Sequence, residues 1–168
     1  MAKLKLHGNP INTNSSLPEI GSQAPDFNLT SADLQDHTLS EYAGKKLLLN
    51  IFPSIDTPVC ATSVRKFNAE AANLTNIQVL CISRDLPFAL ARFCGAEGID
   101  KVQTLSELRN RSFAQNYGLE IIDGPMAGLL ARAVVIIDEN GLIVYTQLVD
   151  DIVHEPDYEA ALKALMGN

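Results

Sequence analysis

With 168 residues, 46% of them apolar and 20% charged, the chain has the length of one domain and enough apolar mass to bury a core, which excludes intrinsic disorder. Twenty acidic against thirteen basic side chains give a net charge of −7, which repels phosphate backbones and anionic bilayers and argues against nucleic-acid or membrane partners. Three cysteines without a Cys-x-x-Cys pair do not make a secreted disulfide framework, and no apolar run approaches the ~20 residues of a membrane span, so a cytoplasmic setting is expected.

Residues 4–16 read as a small hairpin outside the main sheet, with Gly8-Asn9-Pro10 as the turn between two weakly alternating arms. Residues 22–46 are rich in turn formers and hold one strand around 27–29. Leu47-Leu48-Leu49-Asn50-Ile51-Phe52 is a continuous apolar run ending at Pro53, the pattern of a strand buried on both faces. Thr57-Pro58 then opens a helix, Thr57 suiting the N-cap and Pro58 the first helical position, with Cys60, Val64, Phe67 and Ala71 on one stripe. Residues 77–82 form a second buried strand, so this strand-helix-strand unit predicts a parallel pair with a right-handed crossover.

Asp85-Leu86-Pro87 starts another helix, expected to stop at Cys94-Gly95. Residues 133–137 and 142–148 flank Asp138-Glu139-Asn140-Gly141, a strong hairpin signal. Tyr158, Ala161, Leu162 and Leu165 close the chain as an amphipathic helix. The order β-α-β, intervening helices, then β-β-α is compatible with a thioredoxin-like α/β fold: a single domain over 1–168, with helices on both faces of a central mixed sheet.

Chemistry concentrates at residues 52–60. If Thr57 caps its helix, Cys60 is the third helical residue, where unpaired backbone N–H groups and the positive end of the macrodipole favour an anion. Thiolate is the nucleophilic form of cysteine. The same residue also fits as a small core side chain on the Val64 and Phe67 stripe. Thr57 fits as a plain helix cap, Arg132 as a structural ion-pair partner, and Cys94 as a packed thiol; Cys81, inside an apolar strand, reads as inert core. His7, His37 and His154 share no metal-ligand spacing and read as solvated.

Pro53-x-x-x-Thr57-x-x-Cys60 resembles the active-site motif of the peroxiredoxins. The longer run Ser54-Ile55-Asp56-Thr57-Pro58-Val59-Cys60-Ala61-Thr62-Ser63 is similar to their thiol peroxidase branch, of the atypical two-cysteine type, and Gly124-Pro125-Met126-Ala127-Gly128-Leu129-Leu130-Ala131-Arg132-Ala133 resembles that branch's second motif. The resemblance spans essentially the whole chain. It implies a homodimeric, thioredoxin-fold peroxidase that reduces hydrogen peroxide and organic hydroperoxides without metal or organic cofactor. By the same resemblance, Cys60 is the peroxidatic thiolate, Thr57 orients thiolate and peroxide, Arg132 stabilises negative charge and Pro53 shields the pocket from water. Cys94 is then the resolving thiol, forming an intramolecular disulfide that thioredoxin reduces. A thioredoxin-type disulfide oxidoreductase would carry Cys-x-x-Cys, and a glutathione-peroxidase-like site would lean on a tryptophan; the chain has neither. A redox sensor using the same oxidisable Cys60 stays open on the sequence, because sensing and turnover begin with the same thiolate.

Overall fold

The computed structural model describes residues 1–167. The chain opens with β1 (Lys3–Leu6) and β2 (Asn9–Asn12), an antiparallel hairpin separate from the main sheet. Its turn is His7-Gly8 rather than Gly8-Asn9-Pro10. Both turn residues take positive φ, 50° and 81°, which a proline ring forbids, so Pro10 falls in the second strand.

Next come β3 (Asn28–Ser31), β4 (Asp36–Thr38), a 3-10 turn over Leu39–Tyr42, β5 (Lys46–Ile51), α1 (Pro58–Ala71), β6 (Ile77–Ser83) and α2 (Pro87–Glu97). They are followed by β7 (Gln103–Ser106), α3 (Ser112–Tyr117), β8 (Ala133–Ile137), β9 (Ile143–Leu148) and α4 (Tyr158–Leu165). The seven-stranded sheet runs β4-β3-β7-β6-β5-β8-β9, with β5, β6 and β7 parallel and the other pairings antiparallel. This is the expected mixed sheet flanked by helices. Three parts depart from expectation: residues 22–46 hold two strands instead of one, β7 lies within the stretch expected to be helical, and α2 runs past Cys94-Gly95 to Glu97. Gly95 stays helical, whereas Gly98, at φ 66°, provides the left-handed stop.

Alternation along β5 divides the core. Leu47, Leu49 and Ile51 pack with Phe113, Tyr117 and the hairpin's Leu4 and Ile11 on one face. Leu48 and Phe52 pack with Val64, Phe67, Leu90 and Leu165, beneath α1, α2 and α4, on the other. Phe67 at 1% exposure anchors α1; truncating such a side chain to alanine costs roughly 3–5 kcal/mol.

Two features of this frame position the site. The parallel strands all end on one edge of the sheet, where β5 hands over to α1. Strand β8 is antiparallel to β5 with Ala133 opposite Ile51, so Arg132, one residue before β8, arrives at that same edge.

Candidate active site

At the end of β5 the chain turns through residues 53–57 before entering α1. Thr57 occupies the N-cap position with extended backbone, and Pro58 is the first helical residue. The Thr57 side chain does not cap. Its Oγ1 donates instead to the Ser54 carbonyl at 2.9 Å, so the capping explanation for this threonine does not hold.

Asp85 secures the loop. Its carboxylate accepts from Ser54 Oγ at 2.7 Å, Ile55 N at 2.7 Å and Ser83 Oγ at 2.6 Å. In sequence, Asp85 is legible only as part of a helix start. In the structure Leu86 is the N-cap of α2, and the aspartate spends its hydrogen-bonding capacity on the approach to Cys60.

Cys60, third in α1, is fully buried. Its carbonyl accepts from Ser63 Oγ at 2.8 Å, and Ser63 Oγ in turn accepts from Asn50 Nδ2 at 3.2 Å, which ties the first turn to β5. Arg132, 2% exposed, donates from Nε to the Ile152 carbonyl at 2.8 Å and from Nη1 to Cys60 Sγ at 3.3 Å. Among the described residues no carboxylate lies within ion-pair distance of this guanidinium, so the structural ion pair considered from sequence is not formed. A buried cation without a carboxylate stabilises an anion placed against it, and the group against it is the Cys60 sulfur.

A cavity of about 290 Å³ opens against Arg132, walled also by Leu6, Pro53, Thr57, Met126 and Ile152. A larger cleft of about 350 Å³ opens at the opposite end of β5 beside Tyr42, Leu47 and Asp138. Leu6 reaches the smaller cavity because the hairpin docks beside the Arg132 acceptor: Lys5 N donates to the Asp150 carbonyl at 2.8 Å, and Ile152 N donates to the Lys5 carbonyl at 2.9 Å. Nothing in the hairpin's sequence announces that docking partner.

All three cysteines are free thiols. Cys94 lies seven residues into α2, roughly 10 Å along the helix from its start at the Cys60 edge of the sheet. It borders a different cavity, about 370 Å³, with His37 and Thr104. Burial pushes its thiol up from the ordinary range, and Thr104 offsets part of that by hydrogen bonding. Cys81 is fully buried in β6, and burial pushes its thiol up to about 12 despite a contact from Asn50 Nδ2 at 3.7 Å. The fold thus brings Pro53, Thr57, Cys60 and Arg132 together and holds Cys94 apart.

His37 is half-buried, its Nδ1 2.8 Å from Glu41 Oε2 and its Nε2 3.0 Å from Ser31 Oγ, which corrects the expectation of a solvated ring. His7 and His154 are exposed. Among the described residues no cluster of His, Cys, Asp and Glu has metal-site geometry.

Comparison with known proteins adds a second line of observation. The Redoxin family matches residues 19–162. A thiol peroxidase of Corynebacterium glutamicum is 53% identical over 165 residues, covering 98% of this chain and 99% of that protein. A thiol peroxidase of Mycobacterium tuberculosis is 56% identical over the same length and coverage. The crystal structure of a peroxiredoxin-like protein from Aquifex aeolicus superposes with a TM-score of 0.92 at 37% identity, covering 98% of this chain and 96% of that one. A thiol peroxidase from Chromobacterium violaceum shares the fold, with a TM-score of 0.89 at 22% identity over 98% and 95% of the two chains.

Proposed function

The chain belongs to the Redoxin family, in the thiol peroxidase branch of the peroxiredoxins, and from that membership we propose that its peroxidase chemistry is carried by Cys60, Thr57, Arg132, Pro53 and Cys94. The observation that carries the assignment is the 3.3 Å contact from Arg132 Nη1 to Cys60 Sγ, made by a guanidinium that pairs with no carboxylate among the described residues.

Cys60 thiolate attacks one oxygen of ROOH, so an S–O bond forms as the O–O bond breaks. The leaving alkoxide takes a proton and departs as ROH, leaving a sulfenic acid on Cys60. Arg132 lies where negative charge grows, and a preorganised donor of this kind typically contributes ~10²–10³ in rate. The Thr57 hydroxyl proton is committed to the Ser54 carbonyl, which leaves its oxygen lone pairs to accept from the peroxide O–H. Pro53 covers one wall of the cavity and offers no N–H to hold water.

Cys94 then attacks the Cys60 sulfur as thiolate, forming an S–S bond and releasing water. A dithiol of the thioredoxin type reduces that disulfide, so that one ROOH and one dithiol yield ROH, water and one external disulfide. The reading includes hydrogen peroxide and organic hydroperoxides as substrates, a single-domain chain working as a homodimer, and a cytoplasmic location. No described helix is long and apolar enough to cross a membrane.

The test is NADPH consumption coupled through thioredoxin and its reductase, with hydrogen peroxide and cumene hydroperoxide. Sustained turnover that vanishes in Cys60→Ser supports the reading. One stoichiometric oxidation without cycling, or turnover surviving in Cys60→Ser, overturns it.

A further inference from the structure

The hairpin and Arg132 are both held by one short segment, residues 149–153, and within it Asp151 makes contacts that hairpin docking alone does not require. The residue is 6% exposed, and its carboxylate accepts three backbone N–H groups: His7 at 3.1 Å and Val153 at 3.2 Å on Oδ1, and Gly8 at 2.8 Å on Oδ2. Among the described residues no cation forms an ion pair with it. Backbone contacts of Lys5 already dock the strand, so the carboxylate acts specifically on the turn at His7-Gly8, beside the cavity wall.

We propose that Asp151 is a positioning residue for the peroxide site, clamping the hairpin turn to the segment whose next carbonyl orients Arg132. Two consequences reach the reacting atoms. Ile152, adjacent to Asp151, supplies the carbonyl that receives Arg132 Nε; because a guanidinium is planar, fixing Nε fixes the direction in which Nη1 meets Cys60 Sγ. The clamp also sets Leu6 and His7 as one side of the cavity, where the R group of an organic hydroperoxide would lie and where hydrogen peroxide has nothing to place. The charge state suits a clamp. Burial alone would raise this carboxyl, but the N–H groups of Gly8, Val153 and His7, with His154 nearby, hold it below the usual carboxylate range.

The inference rests on the assignment of Cys60 and Arg132 above, and its test separates the two. In the thioredoxin-coupled assay, Asp151→Asn retains the shape but turns an N–H donor toward backbone donors. Its kcat/KM for hydrogen peroxide is expected to fall by about tenfold, within the range that misplacing a catalytic group by ~1 Å produces. For cumene hydroperoxide it is expected to fall further, with a raised KM, so the organic-to-hydrogen-peroxide ratio drops. A purely structural defect reduces the active fraction and scales both substrates alike. An unchanged ratio therefore overturns the proposal, with or without loss of overall rate. Should Asp151→Asn not fold, Asp151→Glu keeps the charge, displaces the oxygens by one methylene and carries the same comparison, with a smaller shift in the same direction. Cys60→Ser and Arg132→Met assayed alongside isolate the premise: full turnover in either defeats the site assignment itself, whereas their inactivity with an unchanged Asp151→Asn ratio defeats only the clamp.

Discussion

Replacing Arg132 with methionine is the sharpest test of the site, because the structure sets the expected loss in rate apart from the expected loss in stability. The guanidinium is 2% exposed and makes two side-chain contacts, one to the Ile152 carbonyl and one to Cys60 Sγ. Methionine fills much of the same volume without a donor. Removing one preorganised donor from a developing negative charge costs ~10²–10³ in rate, about 2.7–4 kcal/mol of barrier. The stability terms oppose one another. An unsatisfied Ile152 carbonyl costs about 1–3 kcal/mol, whereas the desolvation of a buried cation, itself several kcal/mol, disappears. The net change is expected within about 1 kcal/mol, or roughly 2–4 °C in melting temperature for a chain of this size. Turnover in the thioredoxin-coupled assay and a thermal melt, run on the same preparation, check both halves. Arg132→Lys keeps the charge but not the planar fork, and is expected to recover only part of the rate. A well-folded Arg132→Met variant whose turnover drops by less than about tenfold would refute the reasoning, since the contact would then be packing.

Three further outcomes are expected. Cys81→Ser should leave disulfide formation on non-reducing gels unchanged but lower the melting temperature, since a hydroxyl replaces a buried sulfur at a cost of ~1–3 kcal/mol; failure to form the disulfide would mean the resolving thiol is misassigned. Oxidation should link Cys60 to Cys94 within one chain and unwind the last turn of α2, because a disulfide needs Cα atoms within ~7 Å and Cys94 lies roughly 10 Å along α2 from its start at the Cys60 edge of the sheet. Tryptic mass spectrometry and hydrogen exchange test this together; an interchain link, or unchanged exchange over 88–97 after oxidation, contradicts it. Acid should loosen the hairpin. Asp123 is held below the usual range by the Asn12 side chain and backbone N–H, and Asp151 by its backbone donors despite burial. Carboxyls depressed in the folded state contribute stability that is complete above their unfolded value near ~3.9 and is lost as pH falls through the lowered folded values. Amide exchange at His7, Gly8 and Asn12 should therefore accelerate below about pH 4, and unchanged protection there would remove the carboxylates from the account.

The sequence alone determined the pieces that depend on neighbours in the chain. The apolar run at 47–52, the Thr57-Pro58 helix start, the Asn140-Gly141 hairpin and the stripe from Cys60 to Phe67 are local patterns, each written in residues that touch or follow one another. The motif around Cys60 was legible for the same reason, since a helix start places its third residue at the positive end of the dipole whatever surrounds it. Where local signals were weak or competed, the reading failed: β7 is only four residues, and Gly95 looks like a stop until Gly98 takes the left-handed conformation instead.

Tertiary structure decided everything that joins distant segments. Arg132 meets Cys60, 72 residues away, only because β8 runs antiparallel to β5 in a register that aligns Ala133 with Ile51. Asp85 reaches back to Ser54 and Ile55, and Asp151 reaches across to His7 and Gly8, through hydrogen bonds that span 30 to 144 positions. Register and docking are fixed by burying apolar faces against one another, a property of the assembled sheet and hairpin rather than of any short window. The same holds for Cys94: its helix was readable from sequence, but its place near the far end of that helix, away from Cys60, follows from the length of α2 and the packing that holds α2 against the sheet.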